Sequence, residues 1–389
     1  MADKTVLTLN AGSSSLKFAL FRGASDQPDL VGIVDRIGGP TAVIRAKAAD
    51  GRRIEHGLQG DQADGHPGAA RAVLAMLDRQ AGGAIPVAVG HRIVHGGPDL
   101  VAPAVLTPGL VGRLSRYEAL APLHQPHNLA AVRAAQAAFP DAVQVGCFDT
   151  AFHRSHPWVE DVYALPRELA DQGIRRYGFH GLSYDYIAGW LARHEPALHA
   201  GRVIVAHLGN GASACALRGG VSVASTMGFS PLDGLVMGTR PGQIDPGVLL
   251  YLMQQGMDAA ELGDLLYKRS GLLGLSGISN DMRVLEGSDR PEAEQAIGYF
   301  IHRLRREIAS LAAVLGGVDA LIFTAGIGEN APAIRAATCE GMGWMGLAID
   351  PARNAAGDTD ITAPCATARV LVVPTNEELV IARAARAAI

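Results

Sequence analysis

Apolar runs and breakers alternate from the start of the chain. Val6, Leu7 and Leu9, then Leu16, Phe18 and Leu20, are strand-type runs on either side of a Gly/Ser break, which predicts a hairpin. Residues 5–35 read as strand, turn, strand, polar loop, strand, and 41–47, 86–94 and 142–149 read as further strands. Helical spacing occupies 68–79, 107–119 and 127–138, while the Gly/Pro/Asp-rich segment 50–68 has no period and reads as loop. Strands followed by strand–helix alternation predict an α/β domain.

The second half repeats this grammar. Val203 to Leu208 is a strand, Gly209-Asn210-Gly211-Ala212-Ser213 a break, and Ala214 to Leu217 a strand again. Ile297, Phe300, Ile301, Leu304, Ile308, Leu311 and Leu315 recur at three- and four-residue steps, as one face of a core helix requires. A strand at 369–373 stops at Pro374, and 377–389 reads as a terminal helix. A chain of 389 residues exceeds one ordinary core, so two or three domains are expected. No low-complexity linker separates the halves, which predicts domains meeting across a cleft.

Composition removes several classes of function. With 48% hydrophobic and 19% charged residues the chain is globular, and a net charge of −4 without a polybasic run argues against nucleic acid. No apolar stretch reaches the roughly 18 residues that cross a bilayer, and Met1 to Lys4 lead into a strand with no signal-peptide pattern. Cys147, Cys215, Cys339 and Cys365 are far apart and form no CxxC pair. Neither a zinc site nor a disulfide framework is expected, and a reducing cytoplasm fits.

Three turns carry candidate chemistry. Asn10-Ala11-Gly12-Ser13-Ser14-Ser15 and Gly209 to Ser213 combine glycine with hydroxyl and amide donors between paired strands. Glycine lets backbone amides approach an anion, so two such hairpins at equivalent places can hold polyphosphate, with Lys17 adding charge. Singly, each is only a tight turn. A third, Phe323 to Asn330, follows a strand and opens a helix, where α/β sheets bind nucleotides. No GxxxxGK[ST] is present, and Gly326-Ile327-Gly328 lacks the third glycine of a dinucleotide fingerprint.

In this order the three turns resemble the superfamily of acetate and sugar kinases, heat-shock chaperones and actin. The segments Leu9 to Lys17, Gly90 to Gly97, Phe148 to His153, Tyr177 to Gly181, His207 to Ser213, Met237 to Arg240, Asn280 to Arg283, Thr324 to Asn330 and Pro374 to Glu378 resemble the acetate kinase branch. The resemblance implies two duplicated actin-like (ribonuclease H-like) ATPase domains with a nucleotide cleft between them. The N-terminal domain would comprise 1–149 plus 379–389. The C-terminal domain, 150–378, would hold the nucleotide pocket and a homodimer interface. It further implies reversible transfer of a phosphoryl group from ATP to acetate or propionate, giving an acyl phosphate and ADP by direct in-line displacement. Mg²⁺ would be required, with Mn²⁺ as a substitute.

The same resemblance assigns roles. Asn10, Asp149 and Glu377 would lie near Mg²⁺, Arg92 and Arg240 on the acid and the transferring phosphoryl, and His180 on the phosphoryl oxygens. Lys17, His207, Asn210 and Gly211 would face phosphates, while Asp281, Met282, Arg283, Gly326, Ile327, Gly328 and Asn330 would line the adenosine pocket. His124 would stand beside the acid, whose wall we assign to Val94, Leu123 and Pro231. Two positions depart from the family pattern: Gln125 stands where Leu-His-Asn-Pro is common, and Gln243 where an acidic residue often precedes Ile-Asp-Pro.

The chemistry suits these residue types. A short carboxylic acid titrates at roughly 4–5 and is ionised at neutral pH, so no general base is required. The difficulty is bringing two anions together in line. Arginine's permanently charged fork offsets their repulsion, carboxylates suit a hard cation, and a histidine can donate to equatorial oxygens. Read alone, each residue has a plainer role. Arg92 would be a structural ion pair, His91 and His95 packing groups, and His127, His153 and His156 loop histidines. Arg175 and Arg176 would be solvated charges. Asp149, a carboxylate ending an apolar strand, needs a partner, and as a base it would suit a sugar kinase. A non-catalytic nucleotide switch is the remaining alternative.

Overall fold

The computed structural model describes residues 4–12, 15–39, 41–80 and 85–389; Ser13 and Ser14 of the first glycine turn lie outside the described residues. The chain divides into two compact units, Met1–Phe152 with Asn376–Ile389, and His153–Thr375.

In the first unit the strands are β1 (Thr5–Ala11), β2 (Ser15–Arg22), β3 (Leu30–Asp35), β4 (Val43–Ala48), β5 (Arg53–Gly57), β6 (Ala88–Ile93), β7 (Ala104–Val105) and β8 (Val143–Phe148). They form one sheet ordered β5-β4-β3-β2-β1-β6-β8-β7. The β1–β2 hairpin is antiparallel, with Asn10 opposite Lys17, whereas β1, β6 and β8 run parallel. Every residue of β1 is buried, as expected of a strand covered on both faces. Alternation sorts its side chains. Leu7 and Leu9 join a core with Ala69, Val73 and Met76 of the helix Gly65–Gln80 and Ala131 and Ala135 of the helix Gln125–Ala138. Val6 and Ala88 instead meet Ala385 of the C-terminal helix Glu377–Ala387. That helix lies so close to β6 that a Cβ on Gly90 would collide with Ile381.

The second unit contains β9 (Arg202–Leu208), β10 (Ala212–Arg218), β11 (Val221–Ser225), β12 (Ala320–Thr324) and β13 (Arg369–Val372), ordered β11-β10-β9-β12-β13. Again a hairpin, β9–β10, is antiparallel and β9, β12 and β13 are parallel. The order β3-β2-β1-β6-β8 of the first unit is thus reproduced, pairing sense included. The helix Pro291–Leu315 lays Phe300, Leu304, Ile308 and Leu311 against this sheet and stops at Gly316, whose φ of 70° only glycine adopts without strain.

Two expectations need correction here. The segment 50–68 is not all loop: Arg53–Gly57 pairs antiparallel with β4, and a helix begins at Gly65. Arg175 and Arg176 are not simply solvated, since Arg175 pairs with the buried carboxylate of Asp161 and Arg176 with Asp233 at 3.1 Å.

Candidate functional site

In the first unit, four predicted residues meet where β1, β6 and β8 end and the C-terminal helix begins. Asn10 sits near the end of β1, Arg92 near the end of β6, Asp149 just beyond β8, and Glu377 opens the helix. The carboxyl ends of parallel strands are the usual place for a ligand site in an α/β sheet. Arg92 grips Asp149 with both arms, Nε to Oδ1 at 3.0 Å and Nη2 to Oδ2 at 2.6 Å. Its Nη1 donates to Asn10 Oδ1 at 3.2 Å and stands 3.6 Å from Glu377 Oε2. Asn10 Nδ2 closes the ring by donating to Glu377 Oε2 at 3.2 Å. Burial opposes the charge of Arg92, but Asp149 and Glu377 overcome it and raise its pKa.

Amides of the helix Gln125–Ala138 hold the backbone that follows Arg92. Asn128 Oδ1 accepts from Val94 N and its Nδ2 donates to the Ala11 carbonyl, while Gln125 accepts from His95 N and donates to the carbonyls of His95 and Leu114. Gln125 is therefore a buried structural clamp, reaching three backbone groups. Val94 is buried, and His124 occupies the position preceding the helix. Lys17 is exposed on β2. His66 Nε2 meets the carbonyl of Gly12 at 2.6 Å and stacks on His127.

In the second unit, the β9–β10 turn, His180 and Arg240 come together. His180 adopts a left-handed φ of 58° ahead of the helix Gly181–His194, and its ring stacks on that of His207, centroids 4.2 Å apart. Its Nδ1 lies 2.8 Å from Ser213 Oγ, and His207 Nδ1 lies 2.8 Å from Ser183 Oγ. A Cβ on Gly211 would stand 2.7 Å from Arg240 Nη2 and 3.3 Å from His180 Nε2, so glycine there allows both groups to reach the turn.

Arg240 differs from Arg92. It is buried, its Nη1 donates to the Pro231 carbonyl at 2.8 Å, and among the described residues no carboxylate balances it. Burial accordingly pulls its pKa down to about 10. It remains charged at neutral pH, with no anionic side chain acting on it among the described residues.

Beside the same turn lies an open pocket of about 440 Å³. Asn210, Asp281, Met282, Arg283, Gly326, Ile327 and Asn330 line it, with Glu286, which sequence reasoning did not single out. Asp281 caps the helix Met282–Glu286 and takes Arg283 Nη2 at 2.6 Å; that hydrogen bond lowers its pKa. Gly328 is not in the wall: it is buried and its carbonyl accepts from Arg335. His207 and Gly211 stand at the His180 side of the turn. His153, expected in a loop, is wholly buried, bonded to Ser222 and the Phe179 carbonyl. Its pKa falls to about 4 through burial.

A model of the Acetokinase family matches residues 5–383. The chain belongs to this family. It is 51% identical to "Acetate kinase" of Methylocella silvestris, over 98% of this chain and 97% of that one. Among solved structures it resembles a propionate kinase from Francisella tularensis (TM-score 0.92, 36% identity, 99% of both chains). It likewise resembles the acetate kinase of Porphyromonas gingivalis (TM-score 0.87, 36% identity, 99% of both chains). The duplicated sheets are those of the actin-like ATPase fold, and membership makes the chain a phosphotransferase with a carboxyl acceptor.

Proposed function

We propose that the protein catalyses the reversible, Mg²⁺-dependent transfer of the γ-phosphoryl group of ATP to acetate, giving acetyl phosphate and ADP by direct in-line displacement. The carrying observation is Arg240, a buried guanidinium without a carboxylate partner among the described residues, aimed at the glycine turn that also meets His180. Such a group is poised for an anion. A carboxylate or a transferring phosphoryl supplies it, and a sugar hydroxyl does not.

The remaining roles follow from residue chemistry. His180 donates to the phosphoryl oxygens, and His207, Asn210 and Gly211 hold the phosphates. Asp281, Met282, Arg283, Gly326, Ile327 and Asn330 enclose the adenosine, and in the first unit Val94 and His124 border the acid. Asn10, Asp149 and Glu377 offer an amide oxygen and two carboxylates, hard donors that fit Mg²⁺, an ion that keeps several of its waters. When bound, Mg²⁺ supplies positive charge against the polyphosphate. Arg92 now lies on those carboxylates, so its predicted contact with the acid requires it to release part of that hold.

Two further features belong to the reading. The helix Pro246–Gln254 exposes Val248, Leu250, Tyr251 and Met253, an apolar surface that a homodimer would cover. Cys215, Cys339 and Cys365 are free thiols, which suits a reducing compartment. The deciding experiment traps acyl phosphate with hydroxylamine from ATP, Mg²⁺ and acetate, propionate or butyrate. Acyl hydroxamate formed fastest with acetate is expected. ATP hydrolysis without hydroxamate would overturn the proposal, and faster turnover of propionate would replace the acceptor.

A further inference from the structure

Ser213, which the turn motif offered as a hydroxyl donor, and Tyr184, which no motif singled out, are both fully buried beside His180. Tyr184 projects from the helix that His180 precedes, and Ser213 from β10. Tyr184 OH and Ser213 Oγ stand 2.5 Å apart, and Ser213 Oγ is 2.8 Å from His180 Nδ1. Three polar groups thus form a chain ending on one ring nitrogen, while the other nitrogen, Nε2, lies beside Gly211 and Arg240.

The geometry points to a hydroxyl relay, Tyr184 to Ser213 to His180, that holds His180 in the Nε2–H tautomer and so makes it a hydrogen-bond donor to the transferring phosphoryl group. The direction follows from acidity. A phenol, with an ordinary pKa of about 10, is a far stronger acid than an aliphatic alcohol and is the donor when the two pair. Ser213 has one proton, and with Tyr184 donating to its oxygen that proton goes to His180 Nδ1. In a neutral imidazole an acceptor Nδ1 leaves the proton on Nε2. Burial raises the Tyr184 pKa well above 10, which keeps its proton in place. The opposite tautomer would present an Nε2 lone pair to anionic oxygens and repel them. Ser213 and Tyr184 are therefore positioning residues, acting through His180.

This inference rests on the proposed placement of His180 at the phosphoryl group. Its test uses the full chain labelled with ¹⁵N-histidine, with two-bond ¹H–¹⁵N correlations and kinetics for wild type, Ser213→Ala, Tyr184→Phe and His180→Ala. Absence of the His180 signals in the last variant assigns them. The wild type should show Nε2 protonated. Ser213→Ala and Tyr184→Phe should shift His180 toward the other tautomer and lower kcat by about 10–100-fold, the range known for partners that orient metal-bound histidines. KM for ATP and for the acid should change much less. Tyr184→Phe keeps the strand and the Ser213 hydroxyl, so it tests the relay even where Ser213→Ala folds poorly. A wild-type Nδ1–H tautomer, or unchanged kcat in Tyr184→Phe while His180→Ala is inactive, overturns the relay alone. Wild-type turnover in His180→Ala overturns instead the reading on which it rests.

Discussion

Replacing Arg240 with methionine should make the ligand-free protein more stable while removing its activity. In the fold its pKa is about 10, against an ordinary 12.5, because burial disfavours the charge. A base whose folded pKa is depressed destabilises the fold at every pH below that value, so at pH 7 the full penalty applies. At 1.36 kcal/mol per pKa step the penalty is on the order of 3 kcal/mol. Methionine follows the path of the arginine stem and carries no charge. The Pro231 carbonyl loses its donor, which costs about 1 kcal/mol, leaving a net gain of roughly 1–2 kcal/mol. For a folding unit of this size that is a rise in Tm of about 2–8 °C. Scanning calorimetry without ligands measures it, and hydroxamate formation should fall by at least about 10²–10³-fold. Acetate or phosphate, which should raise the Tm of the wild type, should lose that effect in Arg240→Met. A fall in ligand-free Tm, or turnover within threefold of wild type, would refute the argument that this charge is held for an anion.

Three other outcomes follow from the structure. Burial pulls His91 and His153 down to about 4 from the usual 6.5, so the unfolded chain binds protons first. Stability should fall as pH drops through that window, by about 2 kcal/mol per histidine between pH 6.5 and 5.0; urea midpoints at the two values should converge by that share in His91→Leu, and an unchanged difference counts against it. Gln125→Asn, although it restores the commoner family residue, shortens the arm that reaches His95 and Leu114 and should cost about 1–3 kcal/mol in urea denaturation. Leu250→Glu with Met253→Glu places charge on the exposed apolar helix and should yield a monomer by light scattering, whereas the wild type should run as a dimer; an unaltered dimer in the variant would put the interface elsewhere.

The hairpins, the strands that alternate with helices and the long core helix were legible because each has a local cause: a hydrophobic period or a glycine break. β5 was not, because its burial alternates only between exposed and partly exposed. Arg53, Glu55 and His56 give a polar edge strand whose identity depends on β4, where Arg45 pairs with Glu55 at 3.3 Å. Within the candidate site, the candidate residue types were readable from motifs, but their partners were not. Ser213 meets residues 29 and 33 positions away, and Arg92 meets Asp149 from 57 away. A serine in a buried strand and a tyrosine in an amphipathic helix look like packing until the fold brings them to a histidine. His153 shows the same limit, since burial comes from elements that its own neighbourhood does not announce.

The two arginines that the motifs treated alike are given opposite electrostatic settings by the fold. Arg92 contributes one positive charge to a cluster holding Asp149 and Glu377, which leaves that cluster net negative even with the guanidinium fully engaged. Arg240 stands in the second unit with a carbonyl and two stacked histidines for company and, among the described residues, no negative charge to balance it. A net-negative cluster of oxygen donors attracts a cation, and an unbalanced buried guanidinium attracts an anion. Metal polyphosphate and carboxylate chemistry needs both kinds of site. In the proposed reading, charge count, rather than arginine as a residue type, is the reason to put the cation at the end of β8 and the anion at the β9–β10 turn. It also explains why Arg92→Ala and Arg240→Met are not equivalent: the first breaks a buried ion pair at a cost of about 3–5 kcal/mol, and the second relieves a charge that the ligand-free fold does not need.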